Sequence, residues 1–405
     1  MHSTFMLSWL YLTMHDSLAN SIDKTDGITK PTKTFLKVVI NAFTIFRGKA
    51  NYTSLSRYCH FSERTIRRWF NKGLSYLYLN STLLKFIPSD HEKIGAIDAS
   101  FIRKSGKHTD GLAMFWSGCD GKSQKGLEMS LITIVDIDAN TTYGLDAKQT
   151  IVQKGKTGAD LYADHIENSF DELRKHGVTH IAADAYYTKN VFIERLTNNG
   201  FHIVGKLRRD ADLKWLYDGI QTGIGRPKKY DGKVVFDDLG KFKHEGIVDG
   251  VDIYSAEVYA VKMKRKINIV LLHSKDQDSY ALLFSTDLKL STQTIIKYYK
   301  ARFQIEFFIR DSKQHTGLMD CQARKSSAIN THLNMCITAL KVLKIEDCLA
   351  KESFSKSVIS IASWKCIKFN KHYLSGILSM LEISKDDDKY IAVYDAFSNY
   401  GVIAA

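Results

Sequence analysis

The chain has 405 residues, enough to bury a large core and to form more than one domain. Its hydrophobic content of 44% and its three prolines argue against a predominantly disordered protein. The 57 Lys and Arg residues exceed the 44 Asp and Glu residues, which gives a formal net charge of +13. This excess favours a polyanionic partner such as nucleic acid or an anionic membrane surface, although many basic proteins bind neither.

The cysteines and the apolar segments argue against a zinc finger and against a membrane-spanning segment. The six cysteines are scattered without a CxxC pair, which predicts free thiols in a reducing compartment rather than a zinc finger. The apolar stretch from Phe5 to Met14 has no basic segment before it and is too short to span a bilayer. We therefore predict a soluble protein without a membrane partner, located in the cytoplasm or on the nucleoid.

Residues 1–90 have the pattern of a helical N-terminal domain, since apolar residues recur at helical spacing over 35–46 and 52–79. Residues 52–72 fit a helix-turn-helix in which Ser62 caps the second helix. The inner face of the first helix would contain Leu55, Tyr58 and Cys59, and that of the second would contain Ile66, Trp69 and Phe70. Three basic residues would remain available to DNA, namely Arg64, Arg67 and Arg68. A solvated basic helix explains the same pattern equally well.

Residues 91–205 alternate between short apolar runs and helical stretches, which predicts a sheet with helices on its faces. The apolar runs are 94–97, 131–137, 180–183 and 201–204, and the helical stretches are 160–176 and 191–199. Trp116 is assigned to the core of this sheet. Residues 206–284 contain strand patterns broken by Gly and Asp without intervening helices, so we interpret them as a β-rich insertion. Residues 326–405 are predicted to be mainly helical.

Two aspartates follow apolar runs in the predicted sheet. Asp98 comes after the run 94–97, and Asp184 comes after the run 180–183. A carboxylate at the end of a buried strand lies at the rim where ligands bind an open α/β sheet. Either residue alone could equally cap the turn that follows it.

A long helix is predicted over 291–317, opened by Ser291 and closed near Gly317. At 100° per residue, four polar residues of this helix share an arc of about 60°. They are Tyr299, Arg302, Glu306 and Lys313. The arc is flanked by apolar residues expected to face the core, namely Phe303, Ile305, Phe307 and Ile309. A solvated ion pair between Arg302 and Glu306 is the alternative, but its basic-before-acidic order is the weaker orientation.

The spacing Tyr299-x2-Arg302-x3-Glu306-x6-Lys313 resembles the YREK signature of a large family of bacterial insertion-sequence DDE transposases. The segment Asp184-Ala185-Tyr186-Tyr187 resembles the second-aspartate motif of that family, although Ala185 stands where many members have glycine. The triplet 285–287, Ser-Thr-Asp, precedes the signature helix as it often does in the family. The resemblance covers about residues 90–325.

The resemblance implies an α/β fold: an RNase H-like mixed sheet with flanking helices and a β-rich insertion between the second aspartate and the glutamate. With the helical N-terminal DNA-binding domain, this predicts five segments. They are the helix-turn-helix domain 1–90, the first part of the core 91–205, the insertion 206–284, the second part of the core 285–325 and the C-terminal helical region 326–405.

The resemblance also implies roles for individual residues. Asp98, Asp184 and Glu306 would be the catalytic ligands of two Mg²⁺ or Mn²⁺ ions, and carboxylates are the hard oxygen ligands that these ions prefer. Three residues would contact the DNA of the transposon end, chiefly its phosphates: Tyr299, Arg302 and Lys313.

The function implied is cut-and-paste transposition of an insertion sequence, by metal-dependent phosphodiester hydrolysis and strand transfer at inverted-repeat ends. The partners would be double-stranded DNA of the transposon ends and of the target, and a second copy of the chain in a homodimer. Two alternatives remain: a catalytically inactive or domesticated DNA-binding protein, and a free-standing nuclease of RNase H-like fold. The intact carboxylate triad argues against the first, and the predicted insertion and helix-turn-helix argue against the second.

Overall fold

The computed structural model describes residues 14–221, 223, 225–274, 279–384 and 387–403. The apolar stretch from Phe5 to Met14 therefore lies outside the described residues, except for Met14. The strands are β1 (Lys93–Arg103), β2 (Ala113–Ser117), β3 (Lys122–Asp136), β4 (Thr141–Gln149), β5 (His180–Ala183), β6 (His202–Leu207), β7 (Leu213–Leu216), β8 (Tyr230–Lys233), β9 (Lys243–Val248), β10 (Val251–Ala260), β11 (Arg265–Ser274) and β12 (Ser279–Ser285).

Helices occupy both ends of the chain and alternate with strands between them. The α-helices are α1 (Asp16–Asp23), α2 (Lys30–Ile45), α3 (Tyr52–Leu55), α4 (Glu63–Asn71), α5 (Leu77–Leu84), α6 (Gly158–Glu167), α7 (Phe170–Lys175), α8 (Asn190–Asn198), α9 (Thr292–Ala301), α10 (Phe303–His315), α11 (Ser326–Ala350), α12 (Ile361–Met380) and α13 (Asp388–Ser398). Short 3₁₀ turns are formed by Ala185–Tyr187, Leu239–Lys241 and Leu318–Asp320. The four predicted apolar runs coincide with parts of β1, β3, β5 and β6, so these strand predictions are confirmed.

Internal contacts divide the described residues into two compact units. The first comprises residues 14–92, 99–151 and 306–403, and the second comprises 93–98 and 152–305. The division therefore passes through β1 and through α10. It does not test the five predicted segments, which stay a prediction.

The first unit is built around the antiparallel strands β2, β3 and β4 and the buried helix α11. β2 and β4 pair with successive stretches of β3, and the second half of β1 lies along the other edge of β3. Helix α11 packs on β4, and the Asn334 side chain bonds both the N–H and the carbonyl of Ala147, at 3.1 and 2.6 Å. Because α11 also packs against α2, α4 and α12, it is buried around most of its circumference.

The second unit contains a mixed sheet, as the predicted α/β class requires. The first half of β1 pairs in parallel with β5, and β5 pairs in parallel with β6. The sheet then continues in antiparallel fashion through β12, β11 and β10, with β7 and β9 beside β10 and β8 beside β7. Helix α9 packs on β5, β6, β11 and β12, and α8 packs on β6.

The predicted long helix over 291–317 is interrupted. Its ends are as expected, because the Ser291 hydroxyl accepts a hydrogen bond from the Thr294 N–H at 3.2 Å and Gly317 has a φ of +73°. Between α9 and α10, however, the Ile305 N–H bonds the carbonyl of Arg302, a tighter turn than that of an α-helix.

The tighter turn accompanies a different burial pattern from the one expected for an uninterrupted helix. Phe303 and Phe307 are 43% and 45% exposed, so the prediction that both face the core is wrong. Ile305 and Ile309 are buried as expected, together with Phe308. The assignment of Trp116 to the sheet core is also wrong, since alternation along β2 places this side chain on the solvent face, 62% exposed.

Two further predictions concern the cysteines and membrane-spanning helices. All six cysteines are free thiols, as predicted. Among the described residues, none of the helices combines the length and the apolar character that a bilayer-spanning helix requires.

Candidate active site and DNA-contact residues

Asp98 and Asp184 lie on neighbouring parallel strands of the second unit. Gly95 pairs with Ile181 and Ala96 with Ala182, so the same register continued by two residues places Asp98 beside Asp184. Paired residues of neighbouring strands point to the same face of a sheet, and so do residues two apart on one strand. Asp98 and Asp184 each lie two residues after the pair Ala96–Ala182, so both carboxylates project from the same face. Both residues are half-buried. The sequence prediction that Asp98 ends its strand is wrong, because β1 continues to Arg103, whereas β5 ends immediately before Asp184.

Asp184 also caps the turn that follows it. Its Oδ1 accepts a hydrogen bond from the Tyr186 N–H at 2.8 Å and so opens the 3₁₀ turn Ala185–Tyr187. An ionised carboxylate has about four acceptor positions on its two oxygens, so the cap leaves capacity for other ligands. The capping role and a role in metal binding are therefore compatible.

The side chain of Arg302 contacts two aromatic rings. Its guanidinium carbon lies 4.9 Å from the ring centre of Phe303 and 5.5 Å from that of Tyr299. Arg302 is only 5% exposed, whereas Tyr299 is half-buried. Cation–π contacts of this kind stabilise a guanidinium that has lost part of its hydration. Arg302 thus has a structural role in addition to the DNA contact predicted for it.

Glu306 and Lys313 belong to the first unit and both lie on α10. The Glu306 side chain is exposed and that of Lys313 is half-buried. Seven residues correspond to nearly two helical turns, so the two side chains leave α10 on the same side. Helix α10 therefore presents an acidic and a basic group along one line.

The triplet Ser285-Thr286-Asp287 joins the strands of the second unit to α9, a role that sequence reasoning did not assign. The Thr286 hydroxyl accepts a hydrogen bond from the Ile203 N–H at 2.9 Å. The Asp287 carboxylate lies 3.2 Å from Nε2 of His180, the first residue of β5. Burial acts to raise the pKa of Asp287, but hydrogen bonds from the Lys289 N–H and from His180 hold the pKa below its usual value. The motif thereby anchors β5, the strand that ends immediately before Asp184.

A cavity of about 500 Å³ in the second unit begins directly after Asp184. Its wall includes the half-exposed ring of Tyr186 and three basic side chains, those of Lys189, Arg208 and Lys262. Asp210, which pairs with Arg208 at 3.0 Å, and Asp212 also line it. The cavity therefore offers both an aromatic face and cationic groups beside Asp184.

Among the described residues, a second group with potential metal ligands lies in the first unit. Ligand atoms of His91, Asp136 and Asp138 are within 4.8 Å of one another. Asp136 is fully buried, and its oxygens accept hydrogen bonds from His91 at 2.8 Å and from the Ala139 N–H at 3.0 Å. These bonds satisfy the carboxylate within the fold, so we interpret the group as structural.

The predicted helix-turn-helix region has the expected second helix but a shortened first one. The Ser62 hydroxyl accepts a hydrogen bond from the Thr65 N–H at 3.2 Å and so caps α4, as predicted. Ile66 and Phe70 are buried, whereas Trp69 is half-buried and stacks on Phe35 at 4.9 Å. The first helix, α3, ends at Leu55, so the prediction that Tyr58 and Cys59 belong to a helix is wrong.

The three predicted DNA-binding arginines of α4 are exposed but differ in their surroundings. Arg67 pairs with Glu63 at 2.5 Å, and its guanidinium lies 5.0 Å from the ring centre of Tyr52. Arg64 and Arg68 extend from the same exposed face. Arg67 is therefore the most restrained of the three.

A family model described as "Transposase DDE domain" matches residues 89–341, more than half of the chain. No curated protein sequence matches the chain. Among solved structures, the chain is similar to a piggyBac transposase synaptic complex with hairpin DNA, at 11% identity and a TM-score of 0.42, over 99% of this chain and 86% of that one.

Two nucleases are also similar at low identity. Endonuclease V of Ciona intestinalis, in complex with a 24mer DNA that contains inosine, has 12% identity and a TM-score of 0.28, over 62% of this chain and 99% of that one. The NurA nuclease of Sulfolobus solfataricus has 9% identity and a TM-score of 0.26, over 71% of this chain and 92% of that one.

Proposed function

We propose that this chain, which belongs to the family of proteins with a transposase DDE domain, moves an insertion sequence by cut-and-paste transposition. It would cleave the inverted-repeat ends of its own element and join them to target DNA. The observation that carries this proposal is the family match over residues 89–341, which includes both aspartates and the signature helix. The parallel register that places Asp98 beside Asp184 supports it.

The proposed metal ligands are Asp98, Asp184 and Glu306. The donor set fits Mg²⁺ or Mn²⁺, because all three side chains supply hard carboxylate oxygens and two of them share one face of the sheet by register. When bound, a pair of such ions activates the attacking oxygen and stabilises the leaving oxygen of a phosphodiester. The role of the protein is to hold the carboxylates in place. The hydrogen bonds made by Asp184 and Asp287 contribute to that positioning.

The proposed DNA contacts fall into two groups. Tyr299, Arg302 and Lys313 would hold backbone phosphates at the cleavage site, as the resemblance implies. Arg64, Arg67 and Arg68 would recognise the transposon end through α4. A homodimer on paired ends completes the proposal, and the net charge of +13 suits association with DNA.

The proposal can be tested with the full-length chain and a plasmid that carries the inverted repeats flanking its gene. We expect cleavage at the ends in Mg²⁺ or Mn²⁺. Asp98→Asn, Asp184→Asn and Glu306→Gln should each lose cleavage but retain end binding in a gel-shift assay, since these changes remove a metal ligand and no DNA contact. Asp171→Asn is the matched control, because Asp171 is almost fully exposed on α7 and should be dispensable.

The outcomes separate the alternatives. Specific binding without cleavage by the wild-type chain would support the inactive DNA-binding protein instead. Cleavage without preference for the element ends would support a free-standing nuclease. Retained cleavage in any of the three carboxylate variants would remove that residue from the proposed site.

A further inference from the structure

A basic cavity lies in the first unit. Its volume is about 380 Å³, and it is formed by the segment after α2, the end of α10 and the start of α12. The basic side chains that line it are those of Arg47, Lys49, Lys313, His315 and Lys365. Of these, only Lys313 belongs to the transposase signature.

Basic side chains outnumber acidic ones among the described residues that line the cavity. Among the described lining residues the carboxylate is that of Asp320, and its Oδ2 already accepts a hydrogen bond from the Ala50 N–H at 2.9 Å. The ammonium group of Lys365 bonds the carbonyl of His315 at 2.5 Å and lies 3.8 Å from the ring centre of Phe46. Burial, and then the charge of Arg47, lower the pKa of Lys365 to about 7. A bound anion would counteract both effects, because a negative charge beside the ammonium group favours its protonated form.

The cavity is held in shape by tight backbone packing. Gly317 has a φ of +73°, and a Cβ at this position would lie 2.3 Å from the Cβ of Ala50. The loop that carries Arg47 and Lys49 therefore approaches the end of α10 closely. The side chain of Arg47 is itself positioned, with its guanidinium 4.6 Å from the ring centre of Phe369 and 3.6 Å from Sγ of Cys366.

We propose that this cavity binds a phosphate group of the DNA backbone through Arg47, Lys49 and Lys365, next to the predicted contact Lys313. The inference rests on the proposed function and extends its DNA-contact surface to residues of the N- and C-terminal helical regions. Arg47 and Lys49 are exposed, as a contact with a long polyanion requires. Arg offers a planar fork and Lys a point charge, which together suit a tetrahedral phosphate.

The test uses the full chain, a labelled duplex of the element end and Ca²⁺ instead of Mg²⁺, so that binding is measured without cleavage. The double variant Arg47→Gln/Lys49→Gln is compared with Lys85→Gln/Lys356→Gln, which removes the same charge from exposed positions that do not line the cavity. We expect the slope of log Kd against log salt to fall by about 1 in the cavity variant, because one phosphate contact is lost. The control should keep the wild-type slope.

Lys365→Met provides an independent readout. Replacing this half-buried charge with an apolar side chain of similar length should preserve the melting temperature, while DNA binding weakens. An unchanged salt slope in the double variant, together with wild-type affinity in Lys365→Met, would overturn the inference.

A second arm distinguishes backbone phosphate from free phosphate. If inorganic phosphate raises the melting temperature of the wild type but not of the double variant, and the DNA salt slopes are equal, the cavity binds free anions and the assignment to DNA is wrong. A wild-type chain that binds ends with the expected salt slopes but does not cleave in Mg²⁺ would overturn the proposed function alone. A wild-type chain that binds no DNA would overturn both.

Discussion

Arg302 is buried and contacts the rings of Tyr299 and Phe303, so its contribution to packing has to be distinguished from any contact with DNA. Arg302, which is 5% exposed, contributes to the packing of the junction between α9 and α10 through its aliphatic stem and through the cation–π contacts of its guanidinium. The predicted phosphate contact is a second role for the same side chain. The two roles can be separated by keeping the stem and removing the charge.

We predict that Arg302→Ala destabilises the chain by about 1–3 kcal/mol, because it removes buried packing as well as charge. Arg302→Met keeps most of the stem and should lose less stability. If Arg302 contacts DNA, both variants should cleave pre-bound ends poorly at a temperature where both are folded. Melting curves and single-turnover cleavage on pre-bound ends measure the two effects, and wild-type cleavage by Arg302→Met would leave Arg302 a packing residue only.

The arginines of α4 should contribute unequally to end recognition. Arg64→Ala and Arg68→Ala should each weaken specific binding by about 1–3 kcal/mol if the side chain reads a base. Arg67→Ala should have a smaller effect, because Arg67 already pairs with Glu63 and stacks on Tyr52. Competition gel shifts with end and random duplexes measure these differences. A larger loss for Arg67→Ala than for the other two variants would contradict this order.

At the scale of elements, the Ser285–Asp287 motif connects β5, β6 and α9. Thr286 bonds Ile203 on β6, and Asp287 bonds His180 on β5, the strand that ends just before Asp184. Tyr298 of α9 packs against the ring of His180 at 5.4 Å, so the helix that carries Tyr299 contacts the same histidine. A defect in this motif should therefore affect stability and the positioning of Asp184 together.

Asp287→Asn tests this connection through its pH dependence. The folded pKa of Asp287 is lowered, so its contribution to stability is present above the unfolded value of about 3.9 and is lost as pH falls through the folded pKa. We predict that the variant is less stable than the wild type by about 1 kcal/mol at pH 7, and that the difference shrinks below about pH 4. Urea unfolding at pH 3, 5 and 7 measures it, and a difference that stays constant with pH would contradict the ionic role.

The sequence pattern predicted the elements that have strong periodicity. It failed where tertiary contacts or a local turn determine the structure. The strands around Asp98 and Asp184 and the cap at Ser291 follow from local patterns. The interruption at Arg302 and the exposure of Phe303 depend on a single tight turn, which helical periodicity does not encode. The basic cavity joins residues more than 300 positions apart, and no local pattern could have indicated it.

At the scale of the whole molecule, the first unit buries several lysines in its helical part. The ammonium group of Lys341 bonds the carbonyl of Asn80 at 2.9 Å, and that of Lys344 bonds the carbonyl of Thr142 at 3.1 Å. Burial lowers the pKa of Lys344 to about 8 and that of Lys341 well below its usual value. With Lys365, these residues place titratable charge inside a helical assembly that also contains the proposed phosphate site.

These lysines predict that the chain becomes more stable as pH rises from about 7 to about 8.5. The unfolded lysines keep their protons up to about pH 10.4, so in this range the unfolded state binds more protons than the folded state and the free energy of unfolding increases. Above about pH 8.5 the effect is opposed, because burial raises the pKa of Cys336 and of Cys59, the latter to about 11, while unfolded thiols ionise.

Urea unfolding at pH 7.0, 7.75 and 8.5, at constant ionic strength, measures this trend. Lys344→Met and Lys365→Met should each flatten the rise, since each removes one group that releases its proton in the folded state, whereas Lys85→Gln, at an exposed position, should leave it unchanged. Saturating duplex DNA should also reduce the contribution of Lys365 to the rise in the free energy of unfolding. A phosphate held beside the ammonium group of Lys365 favours its protonated form. Free energies of unfolding that fall between pH 7.0 and 8.5 in the wild type would show that these lysines do not control stability in this range.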